Sequence, residues 1–377
     1  MKARMFVGCL TVLLLAGCGS TAPAAGPSSA PPAASASAAG PSKPVAPAST
    51  SAKPAAIASS AASATAKPSA AASAGASGLT SLKGSYITVS PTGGPLWIGR
   101  ETGIFAKNGL DVSLTSVQAT AAMPALSSND TQLASSGAAE VASIDLQGGK
   151  VVMVAEGARL PIFSLYADKK YKTVQDLAGQ TVGVTAIGAA SETALHLFLR
   201  KFGMDDKVKI VGAGGSSPAI LAAMSQGQLA GGILIPPVTA QAEKAGFVEL
   251  VNGVKLGVPL TQGSLSVTRA FLTDRQDVAR RLVTAYLQAW KFGSDPANKA
   301  TVLKIFQQYT KTNEADSESA YNFMLPLWQS QKVPYMTDDA IANVLSFLAD
   351  PKAKSADPKD FYDNSLLQAV AKASGEA

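Results

Sequence analysis

The sequence predicts an α/β protein with parallel-rich sheets and a helical C-terminal part. Three observations support this fold class. Strand-like and helix-like segments alternate from Tyr86, they alternate again from Thr181, and the pattern becomes helical after Leu260. Glycines and prolines separate the segments, as expected at turns and helix ends. Alternating strands and helices are typical of sheets covered by helices.

The first alternating stretch begins with a strand over 86–89 and a turn that contains Pro91 and Pro95. A helix over 96–107 follows and stops at Gly109, and residues 110–114 then alternate as a half-buried strand. The remaining segments of this stretch are a short helix to Leu126, a strand over 131–135, a helix over 138–147 and a buried strand over 151–154.

The second stretch repeats this alternation, and helices follow it. Its predicted segments are strands over 182–185, 208–211 and 233–235 and helices over 191–202 and 218–224. Residues 264–269 are compatible with one more strand. The C-terminal helices are predicted over 276–292, 298–310, 314–329, 337–348 and 364–373.

Two short segments of the first stretch recur in the second. Residues 107–111 (KNGLD) parallel residues 201–205 (KFGMD), and residues 128–134 (SNDTQLA) parallel residues 225–230 (SQGQLA). The two pairs occur in the same order at nearly the same offset, which favours two similar βαβαβ units. The alternative is that helix-to-strand junctions resemble one another by chance.

The N-terminus predicts export and lipidation. Lys2 and Arg4 precede an apolar run of about ten residues, too short to span a bilayer. The run ends in Leu-Ala-Gly before Cys18, which resembles the bacterial lipobox. That resemblance implies cleavage after residue 17 and a lipid on Cys18, whereas the alternative is an ordinary signal peptide with an incidental cysteine. Cys9 would leave with the signal peptide.

Residues 18–78 are predicted to form a disordered tether. Of residues 19–78, 52 are Ala, Ser, Pro or Gly, and none is acidic or aromatic. Such a segment buries too little apolar surface to offset its chain entropy. Without residues 1–78 the chain holds 27 basic and 26 acidic side chains, so the formal net charge of +6 falls to +1. The folded part therefore lacks the positive field that nucleic-acid binding requires.

Cysteine and histidine counts exclude several kinds of site. The two cysteines allow at most one disulfide, and one histidine gives little basis for a histidine-rich metal site or a Ser-His-Asp triad. We therefore expect no metal, no cofactor and no catalytic residue, and no segment after the signal is long and apolar enough to predict a membrane span.

Two motifs resemble the periplasmic solute-binding proteins of the nitrate/sulfonate/taurine and thiamine-precursor (SsuA/THI5-like) family. The first, residues 103–112 (GIFAKNGLDV), is similar to the family's Gly-[Leu/Ile]-Phe-x-x-x-Gly-Leu-x-Val. The second, residues 176–184 (DLAGQTVGV), is similar to Asp-Leu-x-Gly-Lys-x-[Val/Ile]-Gly-Val, with Gln180 where lysine is usual. The resemblance covers roughly residues 83–350, and it indicates the superfamily but not the ligand.

The resemblance implies a type II periplasmic-binding-protein fold, in which two α/β lobes joined by two crossovers close on a ligand. We expect lobe one over 79–167 and 260–377, with the helical C-terminal segment packed on it, and lobe two over 168–259. Lys169-Lys170 and residues 257–259 are the predicted crossovers.

Four strand-to-helix junctions rich in Gly, Ser and Thr are candidate ligand contacts, at residues 92–94, 136–138, 185–191 and 214–217. Ligands of open α/β sheets bind beyond the carboxyl ends of strands, where helix N-termini present free N–H groups. The alternative for each junction is a helix cap without a ligand. The predicted binding residues are Thr92, Gly93, Gly94, Gln118, Ala119, Ser136, Gly137, Ala138, Thr185, Gly188, Ala189 and Ser191.

Four further side chains have open interpretations. Trp97 either packs against a ligand edge or belongs to the core, and Arg159 either faces an anion or lies at the surface. Glu140 favours its helix dipole, but it would oppose an anionic ligand if it pointed into the cleft. His196 is predicted to be structural.

These observations predict an exported, lipid-anchored and monomeric receptor, facing the periplasm or the cell exterior, that delivers a small oxyanion- or carboxylate-bearing solute to an ABC permease. One alternative is an enzyme similar to pyrimidine synthases of this fold, which need a reactive histidine and a cysteine-rich segment. The other is a ligand sensor for a membrane kinase.

Overall fold

The computed structural model describes residues 78–87 and 89–376. The predicted signal peptide, Cys18 and the tether up to residue 77 lie outside the described residues, so they stay predictions. Within the described part of the chain, none of the helices combines the length and apolar character needed to cross a bilayer.

The first of two five-stranded sheets combines four strands from the start of the folded part with one later strand. Its strands are β1 (Thr80–Tyr86), β2 (Leu110–Ser116), β3 (Leu133–Ser136), β4 (Val151–Ala155) and β10 (Ser264–Thr268). Their order is β2-β1-β3-β10-β4. β1 pairs in parallel with β2 and β3, whereas β10 is antiparallel to both β3 and β4.

The second sheet has the same arrangement. Its strands are β5 (Ser164–Ala167), β6 (Thr181–Val184), β7 (Lys209–Gly212), β8 (Gly231–Leu234) and β9 (Val248–Asn252). Their order is β7-β6-β8-β5-β9, and β5 is the antiparallel strand, between β8 and β9. The paired βαβαβ units that the internal echo predicted are therefore present, one in each sheet.

Helices cover the sheets and make up most of the C-terminal part. The helices before β10 are α1 (Gly94–Glu101), α2 (Ile104–Lys107), α3 (Ala119–Ser127), α4 (Ala138–Asp145), α5 (Ala190–Lys201), α6 (Ser217–Ser225), α7 (Val238–Lys244) and α8 (Gly253–Leu256). Those after it are α9 (Arg269–Asp274), α10 (Gln276–Ser294), α11 (Lys299–Thr310), α12 (Glu314–Gln329), α13 (Asp338–Leu345) and α14 (Ser365–Ala373).

An aromatic cluster joins the C-terminal helices to the first lobe. Trp97 of α1 stacks on Tyr309 with ring centroids 4.8 Å apart and meets the edge of Phe306 at 6.1 Å. Trp328 of α12 contacts both Phe306 and Trp290. Because these rings are large and mostly buried, they fix α10, α11 and α12 against α1.

Two predicted elements near the N-terminus have different bounds in the structure. β1 lies at 80–86 rather than 86–89, because Leu82, Gly84 and Tyr86 form its buried face in register with β2, while Val89 is exposed. The predicted single helix over 96–107 is broken at Gly103, whose φ of +72° stops α1 and starts α2.

Two connections join the sheets, residues 156–163 and residues 257–263, and they run side by side. Ala158 and Gln262 exchange backbone hydrogen bonds of 2.8 and 3.0 Å, and Leu260 N–H donates to the Arg159 carbonyl at 2.7 Å. The Gln262 side-chain carbonyl accepts from Ile162 N–H at 2.9 Å. We call this antiparallel pair of segments the hinge ribbon.

The hinge ribbon differs from the predicted first crossover. β5 belongs to the second sheet, so residues 164–167 lie outside the lobe in which we expected them. Lys169-Lys170 follow β5 and lie inside the second lobe, whereas residues 257–259 fall within the second connection. The sequence did not indicate β5, because its four residues are all buried and do not alternate.

The hinge ribbon is packed closely at Gly263, and we predict that Gly263→Ala destabilises the fold. Gly263 has a φ of +64°, and a Cβ there would lie 2.6 Å from the Thr92 carbonyl oxygen. Left-handed strain and overpacking together should lower the free energy of unfolding by about 2–5 kcal/mol, measured by urea denaturation.

Gly257→Ala is the matched control, because Gly257 lies in the same connection with a φ of +72° and open space around it. Gly257→Ala introduces the left-handed strain without overpacking, so it should lower the free energy of unfolding by about 1–2 kcal/mol. Equal losses in the two variants would contradict the close contact between the hinge ribbon and Thr92.

Candidate functional site

A small cavity lies where both sheets end and meet the hinge ribbon. Its volume is about 40 Å³. The lining residues come from the end of β3, from the segments after β1, β3 and β8, from the first turns of α4 and α5, and from both connections. They are Ile87, Ser90, Thr92, Ser135, Ser136, Gly137, Glu140, Ile162, Phe163, Ala190, Ile235, Gln262 and Gly263. Both lobes therefore line one cavity at the carboxyl ends of their strands, where open α/β sheets bind ligands.

Glu140 is the acidic side chain of this cavity. It lies in the first turn of α4 and is only 9 % exposed. Its Oε1 accepts a hydrogen bond from Ala190 N–H of α5 at 3.4 Å, so the carboxylate reaches across from one lobe to the other. Its Oε2 is buried and has no hydrogen-bond partner among the described residues.

Burial raises the pKa of the Glu140 carboxyl, and hydrogen bonds from the backbone N–H groups of Glu140, Ala190 and Gly137 act in the opposite direction. Neither α4 nor α5 has a side-chain N-cap, because Gly137 and Ala189 occupy those positions. The carboxylate of Glu140 thus accepts from an N–H group at the start of α5.

The charge on Glu140 decides which ligands the cavity favours. The lining contains no lysine or arginine. A ligand anion about 4 Å from the ionised carboxylate would be repelled by about 4 kcal/mol at an effective dielectric constant of about 20. A helix N-terminus typically offsets about 0.3–1 kcal/mol. The repulsion is the larger effect, so the acidic side chain disfavours an anion at this position.

Three of the predicted binding residues line the cavity: Thr92, Ser136 and Gly137. The Thr92 hydroxyl pairs with the Ser90 hydroxyl at 3.1 Å, and the Ser136 hydroxyl pairs with that of Ser266 at 2.9 Å. Gly137 lies against the opposite lobe, since a Cβ there would be 3.4 Å from Ala190 Cβ.

The other predicted residues of the first lobe lie around the cavity rather than in its lining. Gly93 and Gly94 are buried, and a Cβ on Gly94 would contact Trp328 at 3.0 Å, so Gly94 faces the aromatic cluster. Ala138 is buried, and its N–H donates to the Thr261 carbonyl at 3.3 Å. Gln118 is exposed before α3, which Ala119 begins.

Residues of the junction at 185–191 form hydrogen bonds with one another. The Ser191 hydroxyl accepts from Thr185 N–H at 3.0 Å and pairs with the Thr185 hydroxyl at 2.7 Å. Gly188 is exposed, and its N–H donates to Glu192 at 2.6 Å. Ala189 is buried, and only Ala190 of this junction reaches the cavity. The fourth junction is likewise capped, since Ser216 accepts from Ala219 N–H at 3.4 Å.

The structure resolves the open interpretations of three side chains. Trp97 belongs to the aromatic cluster. Arg159 pairs with Asp339 at 3.1 Å and does not line the cavity. His196 pairs with Asp205 and stacks on Phe347 with ring centroids 5.3 Å apart, so it has a structural contact away from the cavity.

Sequence reasoning missed most of the hinge-ribbon and second-lobe lining. Ile162, Phe163 and Gln262 are apolar or neutral residues in segments without a glycine- or hydroxyl-rich junction. Ile235 directly follows β8, and the rule that ligands lie beyond strand ends would have included it. Among the described residues, no three His, Cys, Asp or Glu side chains group closely enough to hold a metal ion.

A second buried acid stabilises the hinge ribbon next to the cavity. Glu156 is fully buried directly after β4, and its Oε1 accepts the Thr261 hydroxyl at 2.6 Å. Burial raises the pKa of Glu156 to about 7, against the lowering effects of the Thr261 hydroxyl and of Arg159. This hydrogen bond links the two connections beside their backbone pairing.

Two lobes with the same strand order, two connections and a cavity between them define the type II periplasmic-binding-protein fold. The family model described as NMT1/THI5 like matches residues 90–298. The chain belongs to the NMT1/THI5-like family.

Solved structures show the same fold at low sequence identity. A protein of Bordetella bronchiseptica RB50 is 23 % identical with a TM-score of 0.66, over 78 % of this chain and 98 % of that one. The periplasmic sulfonate-binding protein SsuA of Methylobacillus flagellatus KT is 15 % identical with a TM-score of 0.63, over 79 % and 96 %. The periplasmic nitrate-binding protein NrtA of Synechocystis PCC 6803 is 14 % identical with a TM-score of 0.61, over 78 % and 89 %. No curated protein matches the chain.

The raised pKa of Glu156 predicts a pH-dependent effect of Glu156→Gln. In the unfolded chain this carboxyl has an ordinary pKa of about 4.5, so the folded state binds the extra proton between about pH 4.5 and pH 7. The contribution of Glu156 to the free energy of unfolding is therefore fully present below about pH 4.5. It falls by up to about 3 kcal/mol as the pH rises to about 7.

Glu156→Gln removes this ionisation and keeps an acceptor for Thr261. The free energy of unfolding of the variant relative to the unsubstituted chain should rise between pH 4.5 and pH 8, measured by urea denaturation at several pH values. Because Glu140 is present in both chains, its own titration cancels in the difference. A difference that does not change with pH would contradict the raised pKa.

Proposed function

We propose that this protein is an exported solute-binding receptor that captures a small solute between its lobes and delivers it to an ABC permease. The observation that carries the proposal is the cavity at the carboxyl ends of both sheets, lined by both lobes and by the hinge ribbon. Enclosure between two lobes suits reversible capture, because a ligand held there contacts both lobes only when they close.

The contacts between the lobes support a hinge motion. Besides the bond from Ala190 to Glu140, the Gln241 amide of α7 donates to Asp316 of α12 at 3.4 Å. On the other side, the Arg200 guanidinium lies 3.9 Å from the centre of the Phe347 ring. His196 also stacks on Phe347, and Lys244 of α7 pairs with Asp316 at 3.9 Å. Separating these contacts would leave every strand pairing of both sheets intact.

Two of the similar structures agree with a transport role. Those from Methylobacillus flagellatus and Synechocystis are a sulfonate-binding and a nitrate-binding periplasmic protein. In this proposal the signal peptide directs export, and the lipid on Cys18 with the tether over 18–78 holds a monomeric receptor at the membrane beside its permease. A single acyl chain binds a membrane weakly, so the several chains of bacterial lipoproteins suit a permanent anchor.

An enzyme similar to pyrimidine synthases is not favoured by the positions of the reactive side chains. His196, the histidine of this chain, pairs with Asp205 outside the cavity lining. Both cysteines, Cys9 and Cys18, precede the folded part. The cavity thus offers neither of the two groups that this chemistry needs.

The identity of the solute is a separate question. The hydroxyl-rich junctions favour an oxyanion- or carboxylate-bearing solute, whereas Glu140 opposes one at the centre of the cavity. Since the junction at 185–191 uses its hydroxyls internally, it contributes less to anion binding than its sequence indicates.

Ala190→Leu should abolish solute binding, because its side chain would fill the cavity and hold the lobes apart. The full-length chain is screened by thermal unfolding against sulfonates, nitrate, pyrimidines, carboxylates, amino acids and amines. A solute at about 100 times its Kd should stabilise the unsubstituted chain by about 2.7 kcal/mol. Ala190→Leu should lose this shift.

Ala106→Leu adds the same bulk at an exposed position of α2 and should keep the shift. The proposal fails if no solute class stabilises the unsubstituted chain. The placement of the site is wrong if Ala190→Leu responds like the unsubstituted chain.

Cys18→Ser should abolish lipidation and release the protein from the membrane. In a bacterial host that processes lipoproteins, we expect nearly complete loss of a fatty-acid label and of membrane association, measured by fractionation and gel fluorescence. Cys9→Ser should retain both, because Cys9 leaves with the signal peptide. Labelling of Cys18→Ser at the level of the unsubstituted chain would exclude this anchor.

A further inference from the structure

We propose that the cavity takes a solute with a positively charged nitrogen group, an ammonium or amidinium, whose N–H bonds to Oε2 of Glu140. This inference rests on the proposed binding function and names its substrate class. It differs from the oxyanion or carboxylate that the sequence predicts.

The position that an anion would occupy is already filled by the protein's own carboxylate. The N-termini of α4 and α5 approach each other at the cavity, and neither has a side-chain cap. Helix N-termini bind anions through their free N–H groups. Here Glu140 accepts from Ala190 N–H of α5, so a ligand anion at the start of this helix would have to displace it.

The rest of the lining supplies acceptors rather than positive charge. Apart from Glu140, every lining residue is neutral. The hydroxyls of Ser90 and Thr92 bond to each other, and the Ser136 hydroxyl bonds to Ser266. Each pair uses one of its protons internally, so lone pairs outnumber free protons in the cavity. A group with several N–H donors matches this surplus of acceptors.

Residue 137 lies against the free oxygen of Glu140 and has no side chain. A Cβ on Gly137 would lie 2.7 Å from Glu140 Oε2. That oxygen is buried without a partner, and an unpaired buried acceptor is costly. A cationic N–H group would satisfy the oxygen and balance its charge together. The cavity of about 40 Å³ suits a small head group of this kind.

Pairs of ions with similar shape and opposite charge test the proposal on the full-length chain. The pairs are acetamidinium with acetate, guanidinium with nitrate, benzamidinium with benzoate, and butane-1,4-diammonium with butanedioate. Binding is measured by isothermal titration calorimetry and by thermal shift at equal ionic strength. We expect at least one cation to bind and its anionic counterpart to fail.

Substitutions at Glu140 identify the group responsible. Glu140→Gln should weaken cation binding by about 10- to 100-fold, because it removes the charge and keeps the shape. Glu140→Asp keeps the charge on a shorter side chain, so it should still prefer cations to anions. Glu249→Gln is the matched control at an exposed position on β9 and should bind as the unsubstituted chain does. Urea denaturation shows whether each variant is folded.

The remaining outcomes overturn the proposal, and they distinguish failure of the charge assignment from failure of the receptor function. Tight binding of an anion or of a neutral solute overturns the charge assignment and leaves the receptor function standing. Cation binding that persists in Glu140→Gln would also overturn the proposal, because a protonated carboxyl or an amide would then be enough for binding and the negative charge would not be required. Absence of binding by every compound, including those of the wider solute panel, overturns the receptor function together with this inference.

Discussion

The buried carboxylate of Glu140 is the interaction on which the arrangement of the site depends. It starts in the first lobe and accepts from Ala190 at the start of α5 in the second lobe, and its other oxygen is buried without a hydrogen-bond partner among the described residues. Two helices that begin without side-chain caps approach each other here, and the carboxylate in the first turn of α4 accepts from the first turn of α5. The same group therefore connects closure of the lobes with the charge that a ligand meets.

The rigidity around this carboxylate comes from two other features. The aromatic cluster of Trp97, Phe306, Tyr309 and Trp328 fixes the C-terminal helices on the first lobe. The hinge ribbon joins the lobes through paired backbone segments and through the bond from Thr261 to Glu156. Because the ribbon is the covalent connection between the lobes, it is the natural axis of opening.

The sequence indicated the fold because the fold depends on periodic patterns. The alternation of strands and helices, the echo of residues 107–111 at 201–205, and the helical C-terminal part all correspond to elements of the structure. β5 was missed because a short, wholly buried strand shows no alternation. The break at Gly103 was missed because a helix pattern continues across it.

The candidate site was less predictable, because it depends on which side chains satisfy each other. Thr185 and Ser191 have the residue types of a ligand contact, but they bond to each other. Gln262 and Phe163 reach the cavity only because the hinge ribbon brings distant segments together. Glu140 has an ordinary place in the first turn of a helix, and only the tertiary structure shows that it points across the cleft.

Native mass spectrometry of the full-length chain, purified without denaturation from exporting cells, tests the central claim most directly. The solute released from the protein is identified by mass and by its basic or acidic character. The account predicts a small solute with a basic nitrogen, present on the unsubstituted chain and lost from Glu140→Gln. An acidic solute that is retained by Glu140→Gln would contradict it.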